Sequence, residues 1–274
     1  MRHIHPIYGA AFFVITGIIG AALLAPWISS YDTIAVSVEE ILEHPSAAHW
    51  LGTDALGRDI LSRTLYGART SVTFAFVAAF CTMAMGLSLG VLSGYFGGWV
   101  DKGIQALVCI FQGLPGMSLM IAIAAILPEN HFRIIIALTL TSWTGFSRIV
   151  RSEVIRIRGE TYMESIRALG GSHFYILRRY VLPNVLPTVV VLLTLRIGTS
   201  LLSASALSYL GLGISPPAAD WGVMIADARS YFRSYPWMIL APGLGITLFC
   251  LSINLLGDAL REYWKEPTYG YRNQ

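Results

Sequence analysis

Charged residues are scarce in this sequence of 274 residues: Asp, Glu, Lys and Arg make up 13% of it, whereas hydrophobic residues make up 55%. Soluble domains carry about 25% charged residues, so the composition argues against a disordered chain and against a free-standing soluble enzyme. The long ranges 70–100, 103–128 and 234–257 contain no charged residue. Because about 20 apolar residues are enough to cross a bilayer, the sequence predicts a membrane protein with several spans.

Signatures of catalysis are also missing. A phosphate-binding loop for ATP needs a lysine after a glycine, in the pattern G-x-x-x-x-G-K-[ST], but Lys102 and Lys265 follow Asp101 and Trp264. The histidines fall in predicted loops, tails or span edges, and the sequence has no Gly-x-Ser-x-Gly elbow and no CxxC pair. We therefore expect no catalytic, cofactor or metal site in this chain. A membrane-embedded enzyme remains a weaker alternative, as does an ion-coupled secondary transporter, which would need carboxylates inside its spans.

Hydropathy predicts an all-α chain with six spans, at about 7–28, 71–93, 103–127, 132–150, 184–210 and 236–258. The first span is too long for a signal peptide, whose apolar core has about 7–15 residues, so we expect it to be retained. The divisions that follow are an N-terminal helix with its outer segment (1–66), a membrane core (67–258) and a tail (259–274).

The distribution of basic residues predicts the orientation. An excess of Lys and Arg marks the cytoplasmic face of a membrane protein. Here the excess lies on the side of both termini and of the loop 151–183. Both termini are therefore predicted to be cytoplasmic, and the loops 29–70 and 211–235 to be outside.

The loop 151–183 is predicted to form an elbow of two short helices. Residues 160–170 place Met163, Ile166 and Leu169 at a spacing of three, and Gly170 suits the left-handed conformation that ends a helix. Ser172 is a suitable N-cap for a second helix, and Pro183 is expected to bend that helix into the next span. The apolar face of this elbow either packs on the chain's own helices or docks a cytoplasmic partner.

Residues of this elbow resemble a known motif. Glu164-Ser165-Ile166, Gly170 and Leu182-Pro183 are similar to the "EAA…G…LP" loop of permease subunits of binding-protein-dependent ABC importers, with Ser165-Ile166 in place of Ala-Ala and Tyr180 where Ile is frequent. The resemblance implies that the loop forms a coupling helix in a groove of an ATPase subunit. The residues expected to carry this coupling are Glu164, Ile166, Leu169, Gly170, Leu182 and Pro183.

Further motifs resemble the second permease of the dipeptide/oligopeptide/nickel group. They are His49–Asp54, Gly57–Asp59, Leu210–Gly213 with Pro216-Pro217, Asp220–Gly222 and Asn254–Arg261. The resemblance implies a type I ABC importer permease of a bacterial inner membrane. The implied partners are a homologous permease, two ATPase subunits that use ATP and Mg, and a periplasmic substrate-binding protein. Di- and oligopeptides are the favoured substrates, and nickel or a metal chelate is the alternative.

Two features inside the predicted spans suggest a transport pathway. Arg196 is a lone charge, which rarely faces lipid, and Thr199, Ser200 and Ser203 follow it at helical spacing. This stripe either lines the pathway or, in the case of Arg196, forms a structural ion pair with another subunit. Gly113, Pro115 and Gly116 interrupt the third span and form either a hinge or a static kink.

The two outer loops are each expected to carry a short interfacial helix. Asp59 is predicted to cap a helix that buries Ile60 and Leu65 and presents Arg58 and Arg63 on its opposite, polar face. This helix either anchors the chain at the membrane surface or contacts the substrate-binding protein. In the second loop, 221–232 is expected to form a short helix that is either a plain connection or, as the resemblance implies, part of a gate.

Overall fold

The computed structural model describes residues 6–29, 31–130, 132–214 and 218–265. Every regular element in these ranges is helical. The helices are α1 (Pro6–Ile28), α2 (Ile60–Phe96), α3 (Gly98–Gly113), α4 (Gly116–Ile126), α5 (Phe132–Arg158), α6 (Thr161–Ala168), α7 (His173–Ile176), α8 (Leu182–Tyr209), α9 (Trp221–Ala228) and α10 (Trp237–Lys265). A π-helical turn at Leu177–Val181 joins α7 to α8, and a 3₁₀ turn at Arg229–Tyr231 follows α9.

Four helices in the described part of the chain are long and apolar enough to cross a membrane: Pro6–Ile28, Ile60–Phe96, His173–Tyr209 and Trp237–Trp264. The helices α3 and α4 give a fifth span if they are taken together, although they are bent by 92° at their junction. Helix α5 has 27 residues, a length of about 40 Å, but it carries several arginines. The predicted count of six spans is therefore not confirmed.

Helix α2 extends through the position of the predicted interfacial helix. It runs without interruption for 37 residues, and Asp59 caps it by accepting a hydrogen bond from the backbone N–H of Ser62. The predicted cap is confirmed, and the helix that it starts runs on into the predicted second span, but the predicted exposed polar face is wrong at Arg63. Arg63 is only 2% exposed, because the preceding segment folds back over this end of the bundle.

Helices α2 and α5 pack closely along a row of glycines. Gly86, Gly90 and Gly94 share one face of α2 at a spacing of four residues, and a Cβ atom at any of them would lie 2.7–2.8 Å from atoms of α5. Small residues at this spacing let two membrane helices approach each other closely. The two helices form the centre of the bundle, and the other spans pack around them.

The buried apolar residues form separate clusters at different levels of the bundle. One cluster joins α1, α2, α8, α9 and α10 around Phe249 and Trp221. A second joins α2, α5 and α8 to the short helices α6 and α7, through Val150, Met163 and Ile176. The elbow at 161–183 is therefore part of a packed core, fixed at one end of the bundle.

Residues 31–59, here called the cap segment, cover the opposite end of the bundle. Gly52 and Gly57 both have a φ of 72°, and a side chain at Gly57 would collide with the backbone of Ser37. Thr53 and Asp59 form an isolated antiparallel bridge. These contacts hold an irregular segment in a defined fold directly before α2.

Candidate functional site

The elbow ends its first helix with the hydrogen bonds of a Schellman motif. The N–H of Gly171 donates to the carbonyl of Ile166 over 3.0 Å, and the N–H of Gly170 donates to Arg167 over 3.0 Å. Gly170 has a φ of 83°, which glycine adopts without the steric cost of a side chain. The predicted helix end at Gly170 is confirmed.

The second half of the elbow is also capped locally. Ser172 Oγ accepts a hydrogen bond from the N–H of Tyr175, as the sequence predicts for an N-cap. His173 Nδ1 lies 2.9 Å from the hydroxyl of Tyr95 at the end of α2. Pro183 stands in the first turn of α8, where its missing N–H is tolerated after the π-helical turn. The expected bend at Pro183 is therefore absent, and His173–Tyr209 forms one continuous span.

The apolar residues of the elbow divide between two surfaces. Met163 is fully buried and Ile166 is half-buried against the second cluster. Leu169, predicted on the same face, is 88% exposed because it occupies the C-cap position after the last helical turn. The elbow thus uses part of its apolar surface for anchoring and leaves the rest open.

An exposed cleft lies beside the open part of the elbow. It has a volume of about 420 Å³ and is lined by Phe174, Tyr175, Arg178 and Arg179. Phe174 is 72% exposed and its neighbour Tyr175 is 50% exposed, so the two aromatic rings form one open surface. Of the remaining residues predicted for coupling, Glu164 and Pro183 are exposed and Leu182 is half-buried.

Arg196 belongs to α8, and its side chain extends toward α5. Its Nη2 donates to the carbonyl oxygen of Ser142 over 3.4 Å, and no carboxylate of the described residues lies within 4 Å of it. The hydroxyls do not form one open stripe with Arg196. Thr199 is exposed and bonds to its own helix, Ser200 is buried, and Ser203 is half-buried.

The interruption at 113–116 is a sharp corner. Leu114 and Pro115 have extended backbone, with ψ values of 141° and 114°, so the hydrogen-bond ladder stops between α3 and α4. Gly113 and Gly116 have open space where a Cβ would stand. Next to the corner, Met117, Tyr209 and Ile225 line an open apolar cavity of about 410 Å³.

Helix α9 is buried in the bundle, unlike the predicted interfacial helix. Asp220 caps it by accepting hydrogen bonds from the N–H groups of Gly222 and Val223 and from Ser71 Oγ over 2.8 Å. Trp221 donates its indole N–H to the carbonyl of Thr64 over 3.0 Å and is only 2% exposed. Burial raises the pKa of the Asp220 carboxyl, and its hydrogen bonds oppose that rise. Pro216 and Pro217 lie outside the described residues.

The cap segment contains a buried ion network. Arg58 Nε donates to Asp54 Oδ2 over 2.7 Å, and its Nη2 lies 3.5 Å from Asp227 of α9. Arg63 Nε lies 3.4 Å from the same Asp54 oxygen. Arg58 and Arg63, which the sequence analysis places on a polar face, are 5% and 2% exposed. Asp54, four positions before Arg58, is the feature of the sequence from which this ion pair could have been predicted.

The pair formed by Arg151 and Asp101 was not predicted from the sequence. Arg151 binds Asp101 through two parallel hydrogen bonds of 2.7 and 2.6 Å, which join the first turn of α3 to α5. A bidentate pair of this kind fixes geometry as well as contributing energy. Within the described ranges, no group of three His, Cys, Asp or Glu side chains is arranged to hold a metal ion.

Comparison with known proteins identifies the family to which this chain is similar. Residues 86–264 match the family described as "Binding-protein-dependent transport system inner membrane component". The chain is 39% identical over 249 residues to the dipeptide transport system permease protein DppC of Alkalihalophilus pseudofirmus, with 91% of this chain and 82% of the relative covered. It is 40% identical over 262 residues to the glutathione transport system permease protein GsiD of Escherichia coli O157:H7, with 95% and 86% covered.

Solved structures share the fold at lower identity. A chain of the MetNI methionine ABC transporter, described in inward-facing conformations, superposes with a TM-score of 0.58 and 21% identity, covering 74% of this chain and 97% of that one. An amino acid ABC transporter solved with histidines gives a TM-score of 0.57 at 16% identity, covering 74% and 94%. Both comparisons support the helical arrangement described above.

Proposed function

This chain belongs to the family of inner-membrane permease components of binding-protein-dependent ABC importers, and from that premise we propose that it forms half of a translocation pathway for di- and oligopeptides. As a permease subunit it is not catalytic. The observation that carries the substrate proposal is the similarity over nearly the whole chain to permeases named for dipeptide and for glutathione, which are both peptides. Nickel or a metal chelate remains the alternative.

The elbow is the proposed docking site for an ATPase subunit. Its anchored part, around Met163 and Ile176, transmits force to α5 and α8, because these residues are fully buried in a shared cluster. Its open part, from Leu169 to Tyr175, offers an apolar surface to a partner groove. We propose that two ATPase subunits, which use ATP and Mg, dock on this chain and on a homologous permease, and that this end of the bundle and both termini are cytoplasmic.

The opposite end of the bundle is the proposed receiving side for a periplasmic substrate-binding protein. The cap segment presents exposed apolar residues there, among them Trp50 at 72% and Val38 at 78% exposure. The Arg58–Asp227 contact joins the cap segment to α9. Docking on the cap segment would therefore act directly on α9.

Arg196 is proposed to line the pathway and to attract an anionic group of the substrate, such as a peptide carboxylate. Its support is a guanidinium that has only one long hydrogen bond to a backbone carbonyl and that no carboxylate of the described residues neutralises. Thr199, Ser200 and Ser203 belong to this proposal, although Ser200 is buried within this chain. Arg196→Ala should impair uptake while leaving the complex assembled, and normal uptake by that variant would contradict the proposal.

The corner formed by Gly113, Pro115 and Gly116 is proposed to change its angle during transport. The support is the open space around both glycines, which leaves room for backbone rotation, and the adjacent cavity of about 410 Å³. Spin labels at exposed positions on α3 and α4 test this proposal, because the distance between the labels can be compared with and without ATP. Identical distances in both states would assign a static kink.

Purification of the complex from native membranes tests the whole proposal. We expect mass spectrometry to find a second permease, ATPase subunits and a substrate-binding protein with a bound peptide. Recovery of the chain alone under mild detergent conditions would contradict the importer assembly. A binding protein that carries nickel or a chelate would instead keep the assembly and replace the substrate.

A further inference from the structure

A groove between α1 and α2 combines apolar walls with the cationic side chain of Arg69. It has a volume of about 240 Å³ and is lined by Ile19, Ala22, Leu23, Arg69, Val72, Thr73, Phe76 and Val77. Among the residues that the structure describes, none that lines the groove is acidic. The guanidinium of Arg69 is exposed, and among the described residues it has no hydrogen-bond, carboxylate or ring partner.

The position of Arg69 along α2 places this cation at the edge of the apolar zone. Residues 70–100, directly after it, contain no charged residue, and Phe76 and Val77 extend the groove about two helical turns further along that run. On α1, Leu23 precedes Trp27, which is 79% exposed and is the kind of residue that marks a membrane–water interface. The groove thus has a cationic mouth at the interface and an apolar floor toward the membrane interior.

The outer surface of α1 suits contact with lipid. Phe12, Phe13 and Leu24 are 62%, 78% and 48% exposed, and only 17% of the most apolar window of this helix is buried. A ligand must therefore enter the groove from the bilayer. It must carry both an anionic group and an apolar chain. A peptide or a free anion would pair with Arg69 at the mouth but would leave the apolar floor unfilled.

We propose that this groove binds one membrane phospholipid, with the phosphate on Arg69 and an acyl chain along Phe76 and Val77. The arginine supplies paired donors to the phosphate oxygens, and the Thr73 side chain also lines the groove. The lipid fills the gap between α1 and α2 at the end of the bundle that carries the cap segment. This site is separate from the elbow and from Arg196, so its test does not depend on the transported substrate.

Lipid titration of the assembled, delipidated complex tests the proposal. Native mass spectrometry would count phosphatidylglycerol or phosphatidylethanolamine bound to the parent protein and to its variants. We expect Arg69→Ala to weaken binding at this site about tenfold, as the loss of a charged hydrogen bond does, and Arg69→Lys to retain most of it. Arg229→Ala removes another exposed arginine outside the groove and should change nothing. Equal binding by Arg69→Ala and Arg229→Ala would overturn the proposal.

Photo-crosslinking from Val77 identifies the occupant without altering Arg69. Val77 is 39% exposed and lines the groove, so a benzoylphenylalanine there should form an adduct with a phospholipid in native membranes. An adduct with another subunit would show that the groove is a protein interface and would overturn the proposal. Displacement of the lipid by millimolar inorganic phosphate would do the same, since it would assign the site to a free anion.

Discussion

Replacing Gly90 by alanine tests whether close backbone contact between α2 and α5 holds the bundle together. A Cβ atom at Gly90 would lie 2.7 Å from the carbonyl oxygen of Ser147 and 2.8 Å from Cβ of Val150. Neither atom can retreat by itself, because the carbonyl oxygen belongs to the backbone of α5 and the position of a Cβ atom is fixed by that same backbone. The helices must therefore separate, and added carbon atoms in a packed core cost about 1–3 kcal/mol.

Thermal unfolding of the purified protein in detergent measures this cost. One kcal/mol changes the midpoint by about 2–4 °C in a protein of 150–250 residues, so Gly90→Ala should lower the midpoint by about 2–12 °C. The matched control is Gly145→Ala on α5, where the added Cβ would have no atom within 4 Å beyond its chain neighbours and its own helix backbone, and its midpoint should stay close to that of the parent. Equal midpoints for the two variants would refute the close-contact account, because membrane helices depend on such packing for their association.

Three further predictions concern the elbow, α9 and the α3–α5 ion pair. Gly170→Val should strain the left-handed residue after α6 and uncouple ATP hydrolysis from uptake, whereas Gly170→Asn should be tolerated; unchanged substrate-stimulated hydrolysis in the valine variant would contradict this. Asp220→Ala should cost about 0.5–2 kcal/mol through loss of the N-cap, whereas Asp220→Asn keeps an acceptor oxygen. Because burial raises the pKa of Asp220 in the fold, its contribution to stability should be full below the carboxyl's unfolded pKa and be lost as the pH rises through the higher folded pKa, and unfolding midpoints of the asparagine variant should lack this dependence. Asp101→Asn should cost about 1 kcal/mol and loosen α3, so that faster hydrogen exchange in α3 checks it and unchanged exchange would speak against it.

Local signals in the sequence predicted the helix ends correctly. Gly170, Ser172 and Asp59 each act on backbone groups within a few residues of themselves, and all three adopt the predicted roles. Such caps can be predicted because the hydrogen-bond partners are neighbours in the chain. The same holds for the break at Pro115, although the angle of 92° could not be predicted from the sequence.

Long-range contacts were beyond the reach of the sequence pattern. Arg63 reads as a polar residue of an amphipathic helix, but the cap segment folds back and places Asp54 3.4 Å from it. Helix α9 reads as interfacial, but Ser71 and Thr64 of α2 provide partners that draw it into the core. In both cases the deciding partner is distant in sequence.

The close packing of α2 and α5 could have been predicted from the sequence, but not from hydropathy alone. The glycines at 86, 90 and 94 recur every four residues, which is the spacing of small residues at membrane helix interfaces. The predicted count of six spans fails to be confirmed for a different reason. Helix α5 has 27 residues, which is long enough to cross, but its arginines lower its hydropathy.

The central claim is that this chain provides the membrane pathway of a peptide importer, and uptake by the reconstituted complex tests it most directly. The assembled complex would be placed in proteoliposomes with its substrate-binding protein, and accumulation of a labelled dipeptide and of nickel would be followed with and without ATP. The account predicts ATP-dependent accumulation of the dipeptide that is lost when this subunit is omitted. Accumulation of nickel without the dipeptide would contradict the substrate, and uptake that continues without this subunit would contradict its role as the pathway.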